Sequence, residues 1–401
     1  MDILDLSLAL FVSKLLGEGF VRLKQMAVLG ELFAGILFSL IMTYLPTIHL
    51  YYFGHLFTYK VHLSGEAFDF FADMGIILLL FVAGMETNIG DLKKSGKRGL
   101  YTASLGVTLP FVLGALFSFK MLHFSARQSL VAGSIFTATS VGVTVRALMD
   151  LKQLRSTAGL TVITAAVIDD VIGIMVMTFV LGTESFGTLI IGFFIFIFIL
   201  LILASGPVDL MMRFSHEKMH SPYAPVSIAI AFGLLIAVLA RETGLAPITG
   251  AYFAGLLLSR TRERKIISDP IKNITYALFV PIFFVKVGSL FDFRMFKSVD
   301  IKYFLFIPLA FIGKFIGCGT GAKLSGVDWK DTTRVGVGMM PEMEVASVIV
   351  TYAYSQHIFS NVIGSQMVSV TILYIVTSAT LVPLLLKILF PRQIEQSKVN
   401  M

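Results

Sequence analysis

Apolar runs of about membrane-spanning length recur along the whole chain, separated by short groups of Gly, Pro and charged residues. A helix that crosses the hydrocarbon layer of a bilayer needs about 20 mostly apolar residues. The pattern predicts thirteen such helices, bounded by the charged and turn-forming breaks. The predicted spans are 5–26, 28–45, 67–87, 99–119, 125–149, 156–182, 187–213, 223–240, 245–259, 273–291, 303–323, 332–355 and 365–390.

The composition agrees with an all-α, polytopic membrane protein. Of the 401 residues, 56% are hydrophobic and 14% are charged, whereas soluble domains carry roughly 25% charged residues. A water-soluble fold is therefore excluded. The single cysteine, Cys318, rules out an intrachain disulfide, and the N-terminal segment lacks the basic start of a signal peptide.

The net charge of +7 follows from the basic residues around the predicted spans. Lys and Arg accumulate on the cytoplasmic side of membrane proteins, and here 22 of them fall on one side, 7 on the other and 3 inside spans. This distribution predicts a cell-membrane protein with its N-terminus outside and its C-terminus in the cytoplasm, and it requires no nucleic-acid partner. The aromatic residues of the outer segment 46–66 suit the membrane interface. About ten residues follow the last span, so we expect no soluble regulatory domain in this chain.

Ionisable residues inside the predicted spans are the candidate functional groups, because each is costly in a bilayer. Asp169 and Asp170 stand about 12 residues, or about 18 Å, from either end of the sixth span, and so lie near the midplane. Neighbours on a helix point about 100° apart, so one carboxylate can pair while the other binds a ligand. Two acids satisfied for packing alone are the alternative, which the depth of the pair disfavours.

Lys314 lies near the middle of the eleventh span, among Gly313, Gly317 and Gly321. Small residues at this spacing let helices approach closely, and a buried lysine needs a carboxylate partner to keep its proton. The sequence therefore predicts that Lys314 pairs with Asp169 or with Asp170.

Two other spans carry polar residues at their centres. The hydroxyls of span five either ligate a small cation or bond back to their own helix, and the sequence leaves both possibilities open. They are Thr137, Thr139, Ser140 and Thr144. In span twelve, Pro341 interrupts the helix beside Glu342 and Glu344. Two interrupted spans in corresponding positions of the two halves predict an inverted repeat with a midplane ion site.

Taken in order, eight stretches of the chain resemble the cation/proton antiporter superfamily, and within it the bacterial and archaeal two-aspartate sodium/proton antiporters. The resemblance covers nearly the whole chain. The matching stretches are GELFAGILF at 30, LLLFVAGMET at 78, TATSVGVTVR at 137, AAVIDDVIGI at 165, GLAPITGAYFAGLLLS at 244, PIFFVKVG at 281, GK at 313 and GVGMMPEMEV at 336.

The resemblance implies the sodium/proton antiporter fold with two broken crossing helices, and a role for each residue that matches. Asp170 is similar to the ion-binding carboxylate, and Asp169 to the partner that exchanges between the cation and Lys314. Thr139 and Ser140 resemble the ligands on the crossing helix. The implied cargo is Na⁺ or Li⁺ and H⁺, with no cofactor.

The resemblance also implies a homodimer in the lipid bilayer, divided into a core and an interface domain. The core helices are expected at roughly 67–182 and 273–390, and the interface helices at roughly 5–45 and 187–259.

The chain departs from the family pattern in span twelve. The family commonly shows Pro-Arg-Gly-Glu where this chain has Pro-Glu-Met-Glu at 341–344, so Glu342 replaces a positive charge with a negative one. The groups that the missing arginine would neutralise are Glu344 or Glu86. Together with Arg146 of the TATSVGVTVR stretch, these three glutamates are expected to support the site or to line its funnel.

Two further lysines lie inside predicted spans. We expect Lys286 to reach the outer interface or to pair with Asp292. Lys14 is expected to pair with Glu18 at the helical i to i+4 spacing.

These features predict a secondary transporter, not an enzyme, in which a cation competes with protons at two midplane aspartates. Two aspartates with a lysine resemble the electrogenic branch of sodium/proton antiporters. A potassium/proton antiporter is the nearest alternative, although such relatives typically carry a soluble nucleotide-binding tail. An organic-anion symporter, which would need a large polar or basic pocket, and a channel are less favoured.

Overall fold

The computed structural model describes residues 3–44, 48–52, 55–59, 63, 65–137, 139–181, 186–291, 294 and 299–390, and most of them are helical. The helices are α1 (Ile3–Arg22), α2 (Ala27–Tyr44), α3 (Glu66–Glu86), α4 (Ile89–Met121), α5 (Ala126–Ile135), α6 (Val141–Asp150), α7 (Thr157–Leu181), α8 (Phe186–Ala204), α9 (Pro207–Glu217), α10 (Ala224–Glu242), α11 (Pro247–Leu258), α12 (Arg264–Ile274), α13 (Val280–Ser289), α14 (Ile301–Phe304), α15 (Phe306–Leu324), α16 (Trp329–Gly338), α17 (Glu344–Ser355) and α18 (Asn361–Leu389). A π-helical stretch, Thr275–Phe279, joins α12 to α13.

The helices fall at the thirteen predicted spans. Each predicted span overlaps a single helix or a run of consecutive helices, which confirms the helical membrane fold. Within the described residues, eight helical stretches are long and apolar enough to cross a bilayer, and α8 with α9, bent by 50°, makes a ninth. Of the remaining predicted spans, the first corresponds to α1, which is 20 residues long but is not among these eight stretches. The other three correspond to helices of 10 to 12 residues, so the number of thirteen crossings stays a prediction.

Between α2 and α3 the chain forms a β-hairpin that the apolar pattern did not predict. Strand β1 (Ile48–Tyr52) pairs antiparallel with β2 (His55–Tyr59), and Ile48 lies opposite Tyr59. Aromatic and β-branched residues, which both strands contain, favour extended backbone. The hairpin is a local addition to a helical architecture.

Side-chain caps fix where the first half of each broken span begins. Ser125 and Gln128 form a reciprocal capping box at the start of α5, with bonds of 3.3 and 3.1 Å. Asp328 accepts a 3.2 Å hydrogen bond from the backbone N–H of Lys330 at the start of α16. Both half-helices therefore start at residues whose side chains satisfy otherwise unpaired amides.

Both spans that were predicted to be interrupted are broken, and the two breaks meet. Five residues, 136–140, separate α5 from α6, and five residues that include Pro341, 339–343, separate α16 from α17. The backbone N–H of Ser140 donates to the carbonyl of Pro341 at 2.7 Å, and the Thr144 hydroxyl donates to the carbonyl of Gly338 at 2.6 Å. The order helix, broken helix, helix occurs twice, in α4 to α7 and in α15 to α18. The symmetry that would relate the two sets stays a prediction.

The helices pack in two groups. In the core group, α4–α7 and α14–α18, helix α4 packs along α15, α7 and α5. In the flanking group, α1–α3 and α8–α13, helix α2 packs on α1 and α13, while α11 packs on α3 and α10. Few contacts join the two groups, chiefly α3 with α6 and α7 with α8. Helices α3 and α13 thus pack mainly on flanking helices, although they lie within the range expected for the core.

Glycines bring α15 and α4 close together. A Cβ atom at Gly317 would meet the backbone carbonyl of Leu105, and one at Gly321 would meet that of Tyr101. Gly313 lies against Pro110 in the same way. The close approach that the glycine spacing predicted is confirmed, and it brings Lys314 toward the break between α5 and α6.

Candidate ion-binding site

Helix α7 carries both candidate carboxylates at its centre. Asp169 is the middle residue of Thr157–Leu181, and its side chain is 0% exposed, while Asp170 is 4% exposed. The two neighbouring side chains contact different parts of the molecule, as the 100° step between helical positions requires.

Asp169 faces the break between α5 and α6 and the side chain of Lys314. Its Oδ2 atom accepts a hydrogen bond of 2.6 Å from the backbone N–H of Thr139 and lies 3.4 Å from Lys314 Nζ. Lys314, also 0% exposed, donates to the Thr139 hydroxyl at 2.7 Å and to the carbonyl of Thr137. Of the two partners that the sequence left open for Lys314, the structure therefore has Asp169. The other carboxylate oxygen, Asp169 Oδ1, has no hydrogen-bond partner among the described residues.

Asp170 faces a cavity of about 520 Å³ that lies between the core and flanking groups. Thr249 of α11 donates a 2.6 Å hydrogen bond to Asp170 Oδ2. Thr139 and Ser140 also line the cavity, and Ser140 Oγ has no hydrogen-bond partner in the described part of the chain. Carboxylate and hydroxyl oxygens are hard donors of the kind that bind small cations. Sequence reasoning missed Thr249, although it stands inside the GLAPITGAYFAGLLLS stretch.

Of the hydroxyls of the fifth predicted span, one bonds back to its own helix and another bonds across the helix crossing, while cation ligation stays a prediction. Thr137 bonds back to the carbonyl of Ser134 on its own helix at 2.7 Å. The Thr139 hydroxyl instead donates to the carbonyl of Met339 across the crossing at 3.1 Å while it accepts from Lys314. One hydroxyl thus links both broken helices to the Lys314–Asp169 pair.

The glutamates of span twelve lie beside this crossing. Glu342 is 0% exposed, and neither of its carboxyl oxygens has a hydrogen-bond partner among the residues that the structure describes. It is near enough to Lys314 and Asp169 to interact with them electrostatically. Glu344 is the first residue of α17, and its side chain lies outside the described part of the structure.

Glu86 lies away from the aspartates, at the C-terminal end of α3. Its carboxylate pairs with Lys272, and its backbone carbonyl accepts a 2.9 Å hydrogen bond from Arg155. The side chains of the Glu86–Lys272 pair are 24% and 30% exposed. This contact satisfies Glu86 locally, and the role in the site or its funnel that the sequence predicts for Glu86 stays a prediction.

Arg146 is buried in a second charged cluster, where α6 of the core group meets α2. Its Nε atom is 3.2 Å from Asp150, and its NH2 atom is 3.9 Å from Glu31 Oε1. The guanidinium stacks 4.4 Å from the ring centroid of Tyr276. Within the described residues, Arg146 forms no hydrogen bond or ion pair with the aspartates of α7, and its contacts with Glu31 and Asp150 bridge the two packing groups.

The predicted pairing of Lys14 is wrong. Lys14 Nζ lies 3.2 Å from Glu31 Oε1, whereas Glu18 pairs with Arg22 at 2.9 Å. Packing of α1 on α2 offers Lys14 a buried carboxylate, while Glu18 and Arg22 are both exposed and satisfy each other at the same i to i+4 spacing.

Lys286 lies near the mouth of the cavity. Its Nζ atom is 3.1 Å from Asp69 and 3.3 Å from Asp73, both on α3, and Asp73 lines the cavity. Asp292, which the sequence suggests as a partner of Lys286, lies outside the described residues. The pairs tie α13 to α3 within the flanking group.

A multi-pass helical protein with buried carboxylates and a lysine at the crossing of two broken helices belongs to the class of ion-coupled membrane transporters. The chain belongs to the family described as sodium/hydrogen exchanger, transmembrane, whose model matches residues 7–391. Members of this family are transporters, not enzymes, and sodium/proton exchange needs no cofactor.

Similar proteins carry names of the same kind. The chain is 31% identical over 353 residues to the probable Na⁺/H⁺ antiporter GerT of Bacillus cereus, covering 86% of this chain and 88% of the relative. It is 29% identical over 392 residues to the Na⁺/H⁺-K⁺ antiporter GerN of the same organism, covering 96% and 95%. Its fold is similar to the solved structure of the sodium proton antiporter MjNhaP1 from Methanocaldococcus jannaschii, with a TM-score of 0.62, 16% identity and 96% coverage of both chains.

Proposed function

We propose that this protein exchanges Na⁺ or Li⁺ for H⁺ electrogenically, with Asp170 as the cation-binding carboxylate. The observation that supports this most directly is that the two aspartates of α7 have different surroundings. Asp170 opens onto the cavity, while Asp169 is paired with the buried Lys314. Thr139 and Ser140 supply further oxygen ligands from the helix break. Asp169, Asp170 and Lys314 together carry one negative charge more than positive, which the bound cation neutralises, and the exchange is electrogenic because more than one proton leaves for each cation that binds.

Competition between cation and proton then couples the two fluxes. Burial disfavours an uncompensated carboxylate, so the site binds either a cation or protons before it changes sides. A cation that binds between the aspartates weakens the attraction of Asp169 for Lys314. These groups act as one coupled set.

The two packing groups supply the moving parts of the proposed mechanism. The core group, which holds the aspartates and Lys314, slides against the flanking group, and the cavity between them opens to one side at a time. Helices α3 and α13 move with the flanking group in this scheme, because they pack on α2 and α11. The membrane is the cell membrane, with the N-terminus outside and the C-terminus in the cytoplasm.

The flanking group is also the proposed surface for a homodimer. Large apolar side chains of α8 face outward, including Phe194 at 65% exposed and Leu201 at 65%. Cross-linking of single cysteines placed on α8 in native membranes tests this arrangement, and crosslinks only between core-group helices would contradict it.

The direct test is transport by the purified protein in liposomes. NaCl, LiCl and KCl are added in turn and proton flux is recorded, with the membrane voltage set by valinomycin and K⁺ gradients in the Na⁺ and Li⁺ experiments. We expect voltage-sensitive proton flux with Na⁺ or Li⁺. Asp170→Asn should abolish it in a folded protein, while Asp331→Asn, in a part-buried pair with Arg334 on α16, should retain it. Retained exchange in Asp170→Asn would refute the assignment.

Potassium/proton exchange is the second candidate, because GerN is named a Na⁺/H⁺-K⁺ antiporter and matches over nearly the whole chain. Proton flux with KCl and none with NaCl or LiCl would establish it in place of sodium exchange. Cation preference depends on the spacing of the oxygens around Asp170, so both ions use the same residues in this proposal.

A further inference from the structure

Glu342 is a buried carboxyl group for which the contacts described above give no use. It follows Pro341 in the break between α16 and α17, it is 0% exposed, and both of its oxygens lack a hydrogen-bond partner among the described residues. An ionised carboxylate in this condition is strongly unfavourable. A buried group without partners therefore requires either a proton or a cationic partner that reaches it in another state of the protein.

Among the described residues, the groups that interact with Glu342 include one cation. Lys314 and Cys318 of α15, Asp169 of α7 and Tyr374 of α18 are the titratable groups that interact with it. The Tyr374 hydroxyl is engaged, because it donates to the carbonyl of Met340 at 2.7 Å. Lys314 is the only positive charge in this set, and in the present state it is held by Asp169, Thr139 and Thr137.

The backbone places Glu342 beside the groups that change on cation binding. Ser140 donates to the carbonyl of Pro341, the residue before Glu342, at 2.7 Å. Thr139 bonds at once to Asp169, to Lys314 and to the carbonyl of Met339. Glu342 is therefore one residue beyond the segment that crosses the Asp169–Lys314 pair.

We propose that Glu342 is the second carboxylate partner of Lys314 and carries one of the exchanged protons. This inference rests on the proposed cation/proton exchange and specifies its proton-binding groups. Before the cation binds, Lys314 pairs with Asp169, and Asp170 and Glu342 are both protonated. When the cation binds at Asp170 and Asp169, Asp170 loses its proton, Lys314 turns to Glu342, and Glu342 loses its proton. Both protons leave to the aqueous side that is open, and Lys314 keeps its charge throughout.

This arrangement fixes the charge of the two loaded forms. The protonated form carries Asp169 as an anion and Lys314 as a cation, and so is neutral. The cation form carries three carboxylates against Lys314 and the bound ion, and so has one net negative charge. The exchange therefore moves charge even though Lys314 is never deprotonated. Without the Glu342 carboxyl and with Lys314 still charged, the exchange would be electroneutral.

The test counts the protons released when Na⁺ binds to the purified full-length protein. Titration calorimetry in buffers of different ionisation enthalpy gives the number of protons per bound Na⁺. We expect about two for the unmodified protein, about one for Glu342→Gln and about two for Glu342→Asp, because one carboxyl supplies one proton. The matched control, Asp331→Asn in the preceding half-helix α16, should release about two. An unchanged number in Glu342→Gln would overturn the proposal.

Infrared difference spectra with and without Na⁺ supply a second readout that does not depend on transport. Na⁺ should remove a carboxylic-acid carbonyl band that Glu342→Asp shifts and Asp331→Asn leaves in place. If Glu342→Gln does not fold, a band that Glu342→Asp fails to shift would refute the proposal by itself.

The outcomes also separate this proposal from the exchange function on which it rests. If the unmodified protein neither binds Na⁺, Li⁺ or K⁺ nor releases protons, the proposed exchange fails. If it binds a cation but releases the same number of protons with Gln at position 342, only the role of Glu342 fails.

Discussion

The hydrogen bond from Thr249 to Asp170 should set how well a cation competes with protons. The Thr249 hydroxyl donates to Asp170 Oδ2 at 2.6 Å in a buried site, and this bond favours the ionised carboxylate. Hydrogen bonds to charged groups contribute about 1.5–3 kcal/mol. Thr249→Val removes the hydroxyl at nearly constant volume. Protons should therefore bind Asp170 roughly 10- to 150-fold more tightly in this variant than in the unmodified protein.

The assay is Na⁺-dependent proton flux in liposomes, measured over a range of Na⁺ concentrations and pH values. In Thr249→Val, the half-saturating Na⁺ concentration should rise about tenfold or more at acidic pH, where protons compete, and should approach that of the unmodified protein at alkaline pH. The pH profile of exchange should move toward alkaline pH by roughly one to two units. Thr249→Ser keeps the hydroxyl and should behave like the unmodified protein.

Two results would refute this reasoning. If Thr249→Val has the pH profile and Na⁺ dependence of the unmodified protein, the hydrogen bond has no part in the competition. If the half-saturating Na⁺ concentration rises equally at all pH values, the hydroxyl acts as a ligand of the cation and not through the carboxylate.

Three further predictions concern residues around the site. Gly321→Val should lower the stability to heat in detergent by about 1–3 kcal/mol, because its side chain meets the α4 backbone. Gly319→Ala should not, because the atoms nearest to its added carbon are 3.8 Å away, and equal melting temperatures of the two variants would contradict this prediction. Arg146→Met should destabilise the protein by about 3–5 kcal/mol, because it leaves the buried Glu31 carboxylate without the guanidinium. A loss below about 1 kcal/mol in thermal unfolding would show that Lys14 alone is enough to stabilise the Glu31 carboxylate. Glu86→Gln should change the half-saturating Na⁺ concentration less than twofold, because the partly exposed Glu86–Lys272 pair contributes about 1 kcal/mol or less and lies outside the cavity lining. A tenfold loss of Na⁺-driven flux would show that Glu86 does take part in ion binding.

The positions of the helices were predictable because they depend on local composition. An apolar run of the right length forms a helix in a bilayer wherever its tertiary neighbours lie, and Pro341 breaks its helix because it lacks an N–H group. The depth of Asp169 and Asp170 follows from counting residues, and the approach of α15 to α4 follows from the spacing of small residues. These features could be read without knowing which helices touch.

The partners of individual side chains were less predictable, because they depend on contacts between distant segments. The i to i+4 spacing predicts an ion pair of Lys14 with Glu18, but the packing of α1 on α2 brings Glu31 into contact with Lys14. The sequence names Glu86 as a group that the missing arginine of span twelve would neutralise, whereas its place at the C-terminal end of α3 puts it beside Lys272. Thr249 was not predicted as a site residue, because it is a single hydroxyl in an otherwise apolar helix. The hairpin was missed since its aromatic residues also fit an interfacial loop.

The crossing of the two broken helices has a consequence for how the chain is made. The gap between α5 and α6 leaves backbone groups and hydroxyls that must be satisfied within the membrane. Thr139 and Thr144 find their acceptors at Met339 and Gly338, which lie 200 and 194 residues later in the sequence. Translation at about 5–20 residues per second separates the synthesis of the two breaks by roughly 10 to 40 seconds. During this interval the polar groups of the first break lack their acceptors in the second, so the nascent protein needs water, lipid headgroups or an insertion factor at that point. A chain truncated before α16 should therefore be degraded by quality-control proteases.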